Sequence, residues 1–166
     1  MKNIALFLAV LCLSGCGGSD SDDGPQGYLL TAFDVTGTSA DEAGVAPISP
    51  AVNGGDFQVN WSVQDAGSLF LVAMAVSEDE VPSAGDIAFF DRMCGGVTTT
   101  CPEAASFSRT CNFNNSNEIV CDDPLSAPVD ISGILQTIPF SGYIVIETCV
   151  ITGFACSSES HPVRFD

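Results

Sequence analysis

The chain has 166 residues, with 21 Asp and Glu against 4 Lys and Arg and a formal net charge of −17. Such a surface repels phosphate backbones, because the counterion release that drives nucleic-acid binding needs clustered Lys and Arg; nucleic acid is excluded as a partner. A hydrophobic fraction of 46% and clear strand patterns separate the sequence from acidic disordered chains and predict a single domain with a sizeable core.

Met1-Lys2-Asn3 places one cation ahead of a ten-residue apolar run, residues 4–13. As a helix that run rises about 15 Å, roughly half the hydrocarbon thickness of a bilayer. It therefore reads as a secretory signal peptide, not a membrane span. Leu13-Ser14-Gly15-Cys16 closes it. This tetrapeptide resembles the lipobox of bacterial lipoproteins, in which the cysteine is acylated on sulfur, the leader is cut before it and the new amino group is acylated. The resemblance implies a signal peptide over residues 1–15 and lipidation at Cys16, with more than one acyl chain holding the protein at the membrane. Gly17 stands where inner-membrane lipoproteins often carry Asp, which implies sorting to the outer membrane, on its periplasmic or its outer face. Cleavage removes Lys2 and no acid, taking the charge from −17 to −18 and leaving Arg92, Arg109 and Arg164 as the strong cations. An anionic lipid surface repels so acidic a domain, so the lipid is the expected anchor.

Residues 16–27 read as a flexible tether rich in Gly, Ser and Asp. Within it Asp20-Ser21-Asp22-Asp23-Gly24 hints at a calcium loop, but the glycine falls one place early and no Glu follows at the required distance. The domain proper is expected over residues 28–166. Residues 28–36 predict a first strand, and residues 37–55, with Pro47, Pro50 and Asn53-Gly54-Gly55, a long connection with room for a short edge strand. Residues 56–63 alternate strictly: Phe57, Val59, Trp61 and Val63 against Asp56, Gln58, Asn60 and Ser62. That pattern predicts a strand with one buried and one wet face. Residues 68–77 are almost wholly apolar and predict a central strand covered on both faces.

Glu78-Asp79-Glu80-Val81-Pro82 breaks the sheet, and residues 86–94 fit a strand or a short helix equally. Residues 94–124 read as a loop-rich insertion, nearly all polar over 112–117. Residues 129–138 predict a short strand with Ile131, Gly133 and Leu135 on one side. Residues 142–151 are β-branched and predict another central strand. Thr152-Gly153-Phe154 predicts a hairpin turn, and residues 155–165 the returning last strand.

Cys12 lies in the leader and Cys16 in the lipobox, leaving Cys94, Cys101, Cys111, Cys121, Cys149 and Cys156. Six thiols in an oxidising compartment predict three disulfides. The spacings favour neighbours, Cys94 with Cys101, Cys111 with Cys121 and Cys149 with Cys156. Zinc and haem attachment lack their spacings, Cys-x2-Cys and Cys-x-x-Cys-His.

Short strands, turn signals and almost no helix predict an all-β, antiparallel β-sandwich carrying a disulfide-stapled insertion. Trp61 in an early alternating strand, followed by an apolar strand, resembles the second and third strands of immunoglobulin-like domains, most nearly of fibronectin type III. Leu135, Pro139 and Tyr143 resemble that family's tyrosine corner, which implies a phenol bonded back to the upstream backbone.

Chemistry is sparse. His161, the single histidine, reads as an exposed residue at a strand end, and no Gly-x-Ser-x-Gly elbow accompanies it. Glu78-Asp79-Glu80 and Asp122-Asp123 are carboxylate clusters that fit an acid–base pair, calcium binding or solvated loop charge. Gly95-Gly96 lacks the Lys of a phosphate loop. No catalytic residue, no metal ligand and no cofactor is assigned, calcium apart. The expected role is a binding or accessory module for an envelope protein or glycan, with Phe107 and Phe113 as candidate contact residues. The alternative is a calcium-dependent envelope or adhesion protein using the acidic loops.

Overall fold

The computed structural model describes residues 30–64, 69–95, 106–123, 127–151 and 156–166. The leader, Cys16, the tether, Cys101 and the 152–154 turn lie outside these residues. The described residues are all-β, in two five-stranded sheets. The strands are β1 (Leu30–Thr36), β2 (Ala46–Ile48), β3 (Asp56–Val63), β4 (Phe70–Ser77), β5 (Ile87–Cys94), β6 (Ser106–Phe113), β7 (Ile119–Cys121), β8 (Val129–Asp130), β9 (Phe140–Val150) and β10 (Cys156–Phe165). One sheet runs β1-β3-β6-β7-β8 and the other β2-β10-β9-β4-β5. Every pairing is antiparallel except that of β2 with β10.

The alternation in β3 sets the first sheet. Phe57, Val59, Trp61 and Val63 are buried while Asp56 and Gln58 are exposed. Residues two apart share a face of the pleat, so this strand has one core side and one wet side. The same side continues in Val35 of β1 and in Cys111 and Phe113 of β6. From the other sheet come Phe70, Val72 and Met74 of β4, Phe90 of β5, Ile144 and Ile146 of β9, and Val163 and Phe165 of β10, all in one cluster. Ring contacts cross the gap between the sheets: Trp61 to Phe90 at 5.8 Å, Phe57 to Phe165 at 6.0 Å and Phe70 to Phe107 at 6.2 Å.

Three expectations change. Residues 87–94, balanced between strand and helix, form β5. Residues 129–138 hold only a two-residue strand, followed by a 3-10 turn over Ser132–Ile134. That turn is fixed by the side chain and backbone of Ser132, which both donate to Asp130 Oδ1. The segment 94–124 is less loop-like than expected, because it contains β6, eight residues in the middle of its sheet. β6 was hidden by an inward arginine: Phe107, Arg109, Cys111 and Phe113 alternate with Ser108, Thr110 and Asn112, and a charge on the core side breaks the apolar pattern that marks a strand.

β4 lies between β9 and β5, as its apolar run requires. Cover on its second face is only partial. Pro82, Ser83 and Ala84 fold back beside Ala73, Ala75 and Val145, but Leu71 at the other end of the strand remains 42% exposed. Asn53-Gly54-Gly55 makes the turn into β3 with all three residues at positive φ. Gly55 is obligatory there, since a Cβ would stand 1.8 Å from Phe113 O.

The register defines two ends of the molecule. β1 begins at Leu30, opposite Val63, the last residue of β3. Phe70, opposite both Cys94 and Val150, lies at that same end, since a short connection links β3 to β4. The other end carries Asp56, the turn at Glu78–Glu80 and the C-terminus.

Candidate functional site

Three places gather polar or charged side chains. The first is a seam between the sheets beside β5 and β6. Arg92 Nη2 lies 2.5 Å from Asp123 Oδ2, with the Asp123 side chain 2% exposed. Arg109 points inward from β6, its Cζ 4.4 Å from the Phe90 ring centre and 5.7 Å from that of Trp61. Phe107 stacks on the same indole at 5.3 Å. Asp122 is tied in by a two-point contact, its Oδ1 accepting from Thr110 N and its own N donating to Thr110 O. Burial lowers the Arg109 pKa, and the carboxylates of Asp122 and Asp123 oppose that shift. A guanidinium keeps its charge in such a place through ring stacking and ion pairing.

The second is a cleft of about 270 Å³ at the acid-rich end, walled by Ser77, Glu78, Asp79, Asp86, Gly133 and Gln136. Two of its carboxylates, Asp79 and Asp86, already accept from protein donors. Asp79 Oδ1 accepts from Val81 N, and the two oxygens of Asp86 accept from Ser83 N and Oγ. Glu80 accepts from the Tyr143 hydroxyl at 3.2 Å, and this carboxylate raises the phenol pKa. Tyr143 therefore does not make the upstream backbone bond of a tyrosine corner. The two acidic clusters are not brought together either. Glu78–Glu80 follow the end of β4, whereas Asp123 pairs with Arg92 in the opposite half of β5. Among the described residues one group, Glu147, Cys149 and Cys156, has the spacing to hold a metal ion, and its sulfurs are joined in a disulfide.

The third is a groove of about 320 Å³ on the outer face of β1, β3 and β6, lined by Ala32, Asp34, Asn60, Ser62, Phe107 and Ser108. Asn60 Nδ2 donates to Thr36 Oγ1 at 2.9 Å, which fixes its amide. Asp34 Oδ1 is 3.6 Å from His161 Nε2. His161 sits within β10 opposite Ile144, its side chain 20% exposed, and is neither at a strand end nor fully in solvent. Its Nδ1 is 3.2 Å from the carbonyl oxygen of Pro162.

Disulfide bonding is present. Cys111 faces Cys121 across β6 and β7 with Cα atoms 4.0 Å apart, and Cys149 faces Cys156 across β9 and β10 at 4.1 Å. Each bridge joins directly opposed residues of paired strands. The first therefore staples sheet, not loop. Cys94 is also disulfide-bonded; its expected partner Cys101 lies outside the described residues. Of the two candidate contact aromatics, Phe113 is wholly buried, packed edge-on against Phe165 at 5.4 Å, and Phe107 is half-buried on Trp61.

The groove residues passed unnoticed in the sequence because Asp34, Asn60, Ser62 and Ser108 are ordinary wet-face residues of three separate strands. Only strand pairing gathers them. Comparison with protein-family models, with curated proteins and with solved structures finds no match to this chain.

Proposed function

We propose that the chain is a lipid-anchored extracytoplasmic binding or accessory module of the bacterial outer membrane, held by Cys16, whose partner is an envelope protein or a glycan. The anchor rests on the resemblance of Leu13-Ser14-Gly15-Cys16 to a lipobox at the end of a short apolar run. An immunoglobulin-like sandwich is the fold type we assign. Strand order supports it: β1-β3-β6 matches strands A-B-E and β10-β9-β4-β5 matches G-F-C-C′. Trp61, buried between the sheets on the second of these strands, agrees with that assignment.

The observation that carries the binding role is the outer-face groove. A carboxylate from Asp34, an amide from Asn60 and hydroxyls from Ser62 and Ser108 gather there on one wet face. Those groups offer donors and acceptors to a hydroxyl-rich or peptide ligand. A glycan array and a pull-down from envelope extracts, each run with the full-length protein and with the Asp34→Ala/Asn60→Ala variant, test this reading. Retention by the parent and its loss in the variant are expected. Equal retention by both, or none by either, would overturn the groove as the binding site.

A further inference from the structure

We infer that the end of the domain where β1 begins is a membrane-contact face, resting on the bilayer that holds the lipid of Cys16. This rests on the anchor proposed above and adds an orientation to it. Six large apolar side chains are exposed among the described residues: Val52, Leu69, Leu71, Val81, Met93 and Ile151. Four of them collect at one end, with Leu69, Leu71, Met93 and Ile151 being 40, 42, 43 and 39% exposed. Leu71 and Met93 are cross-strand partners, Leu71 also faces Cys149, and Leu69 and Ile151 flank the paired residues Phe70 and Val150. Together with the Cys149–Cys156 bridge they form one apolar corner.

Two independent observations point to lipid as the occupant. The first is where the chain enters. Leu30 lies opposite Val63 at this same end, so the segment from Cys16 reaches the domain here. The backbone between Cys16 and Leu30 spans at most about 50 Å when fully extended, so the anchored lipid keeps this end near the bilayer at high effective concentration.

The second is the distribution of charge. Along the described strands that reach this end, the nearest charged positions are Asp34 on β1, Arg109 on β6, Arg92 on β5, Glu147 on β9 and Glu159 on β10, all set back from the strand ends. The opposite end holds Asp41, Glu42, Asp56, the Glu78–Glu80 turn, Asp86, Glu118 and Asp166. A chain this acidic is repelled by anionic lipid as a whole. Among the described residues more carboxylates lie at the far end than at this one, so this is the face the described strands can bring closest to a bilayer. The exposed leucine and methionine side chains add apolar contact there, and a tethered protein needs only weak contact.

The test uses the full-length lipidated protein in phosphatidylcholine vesicles with brominated acyl chains, which quench nearby indoles. A reporter indole is introduced by Leu71→Trp and, at the opposite end, by Val52→Trp. Native Trp61, 1% exposed, is shielded from lipid, and its retained near-ultraviolet dichroism shows that each variant folds. The Leu71→Trp reporter is expected to lose most of its fluorescence and the Val52→Trp reporter to keep it. Equal quenching at both sites, or none at either while mass spectrometry shows acylated Cys16 and the protein floats with the vesicles, would overturn the orientation and leave the anchor standing. Concentration-dependent burial of the Leu71→Trp reporter in detergent without quenching in vesicles would assign the corner to self-association and overturn the proposal. An unmodified Cys16 would remove the anchor and the orientation together.

Discussion

Phe165 closes the last strand against the core, and removing its ring should cost a large fraction of the domain's stability. Its side chain is fully buried and contacts three other rings: Phe113 at 5.4 Å, Phe57 at 6.0 Å and Phe140 at 6.3 Å. In register it stands opposite both Phe140 on β9 and Ile48 on β2, so β10 is held on each side at this point. Truncation of a buried Phe to Ala costs about 3–5 kcal/mol, from lost transfer energy and the cavity left behind. The edge-on contacts with Phe57 and Phe113 put this site toward the upper half, about 4 kcal/mol. Against a typical total of about 5–15 kcal/mol that is a large fraction. For a domain of this size each kcal/mol shifts Tm by about 2–4 °C, so Phe165→Ala should lower Tm by about 10 °C or more. Urea unfolding of the parent, of Phe165→Ala and of the surface control Val52→Ala gives the comparison. The expected result is a lower midpoint at unchanged m-value for Phe165→Ala and no shift for the control. A loss below about 1 kcal/mol, the range of an ordinary surface substitution, would show that the C-terminal strand does not close the core as described.

Replacing the Cys111–Cys121 pair by Ser should cost about 2–3 kcal/mol in urea melts, the denatured-state entropy that a loop of this size releases; no change would mean that the paired strands already hold the register. Asp123→Ala leaves Arg92 without its buried counter-charge and Arg109 with Asp122 alone, and should cost about 3 kcal/mol, at the lower end for a buried pair because Arg92 reaches solvent. Adding Arg109→Met, which keeps an apolar stem over Phe90, should recover part of that loss; a double variant no better than the single one would rule out charge coupling as the cause. Hydrogen bonds from Ser132 hold the Asp130 carboxyl below its ordinary value of 3.8. A lowered carboxylate contributes stability above its unfolded pKa and loses it as pH falls through the folded value, so the parent should lose more stability below pH 3.8 than Asp130→Asn does, and parallel acid-melting curves would refute this.

Much of the fold is legible in the residues themselves, wherever one strand carries its own signal. The strict alternation from Asp56 to Val63 is local information: side chains two apart must share a face, so its buried set follows without knowledge of any partner strand. The same holds for the β-branched run that becomes β9 and for the return of β10 across Cys149 and Cys156. The candidate groove is different. Asp34, Asn60 and Ser108 come from three strands, and each reads alone as a solvated wet-face residue.

What the sequence by itself determined was the all-β class, the cysteine supply, the acidity and the lipobox-like start, since each is a property of composition or of short spacing. Tertiary structure alone decided the rest. It made a strand of β6, because the Trp61 and Phe90 rings and the Asp122 and Asp123 carboxylates accommodate the inward Arg109. It also made Phe165 a core residue, and it gathered Leu69, Leu71, Met93 and Ile151 at the end where the chain enters. Both follow from strand register, which joins residues far apart in the chain and which no local pattern encodes.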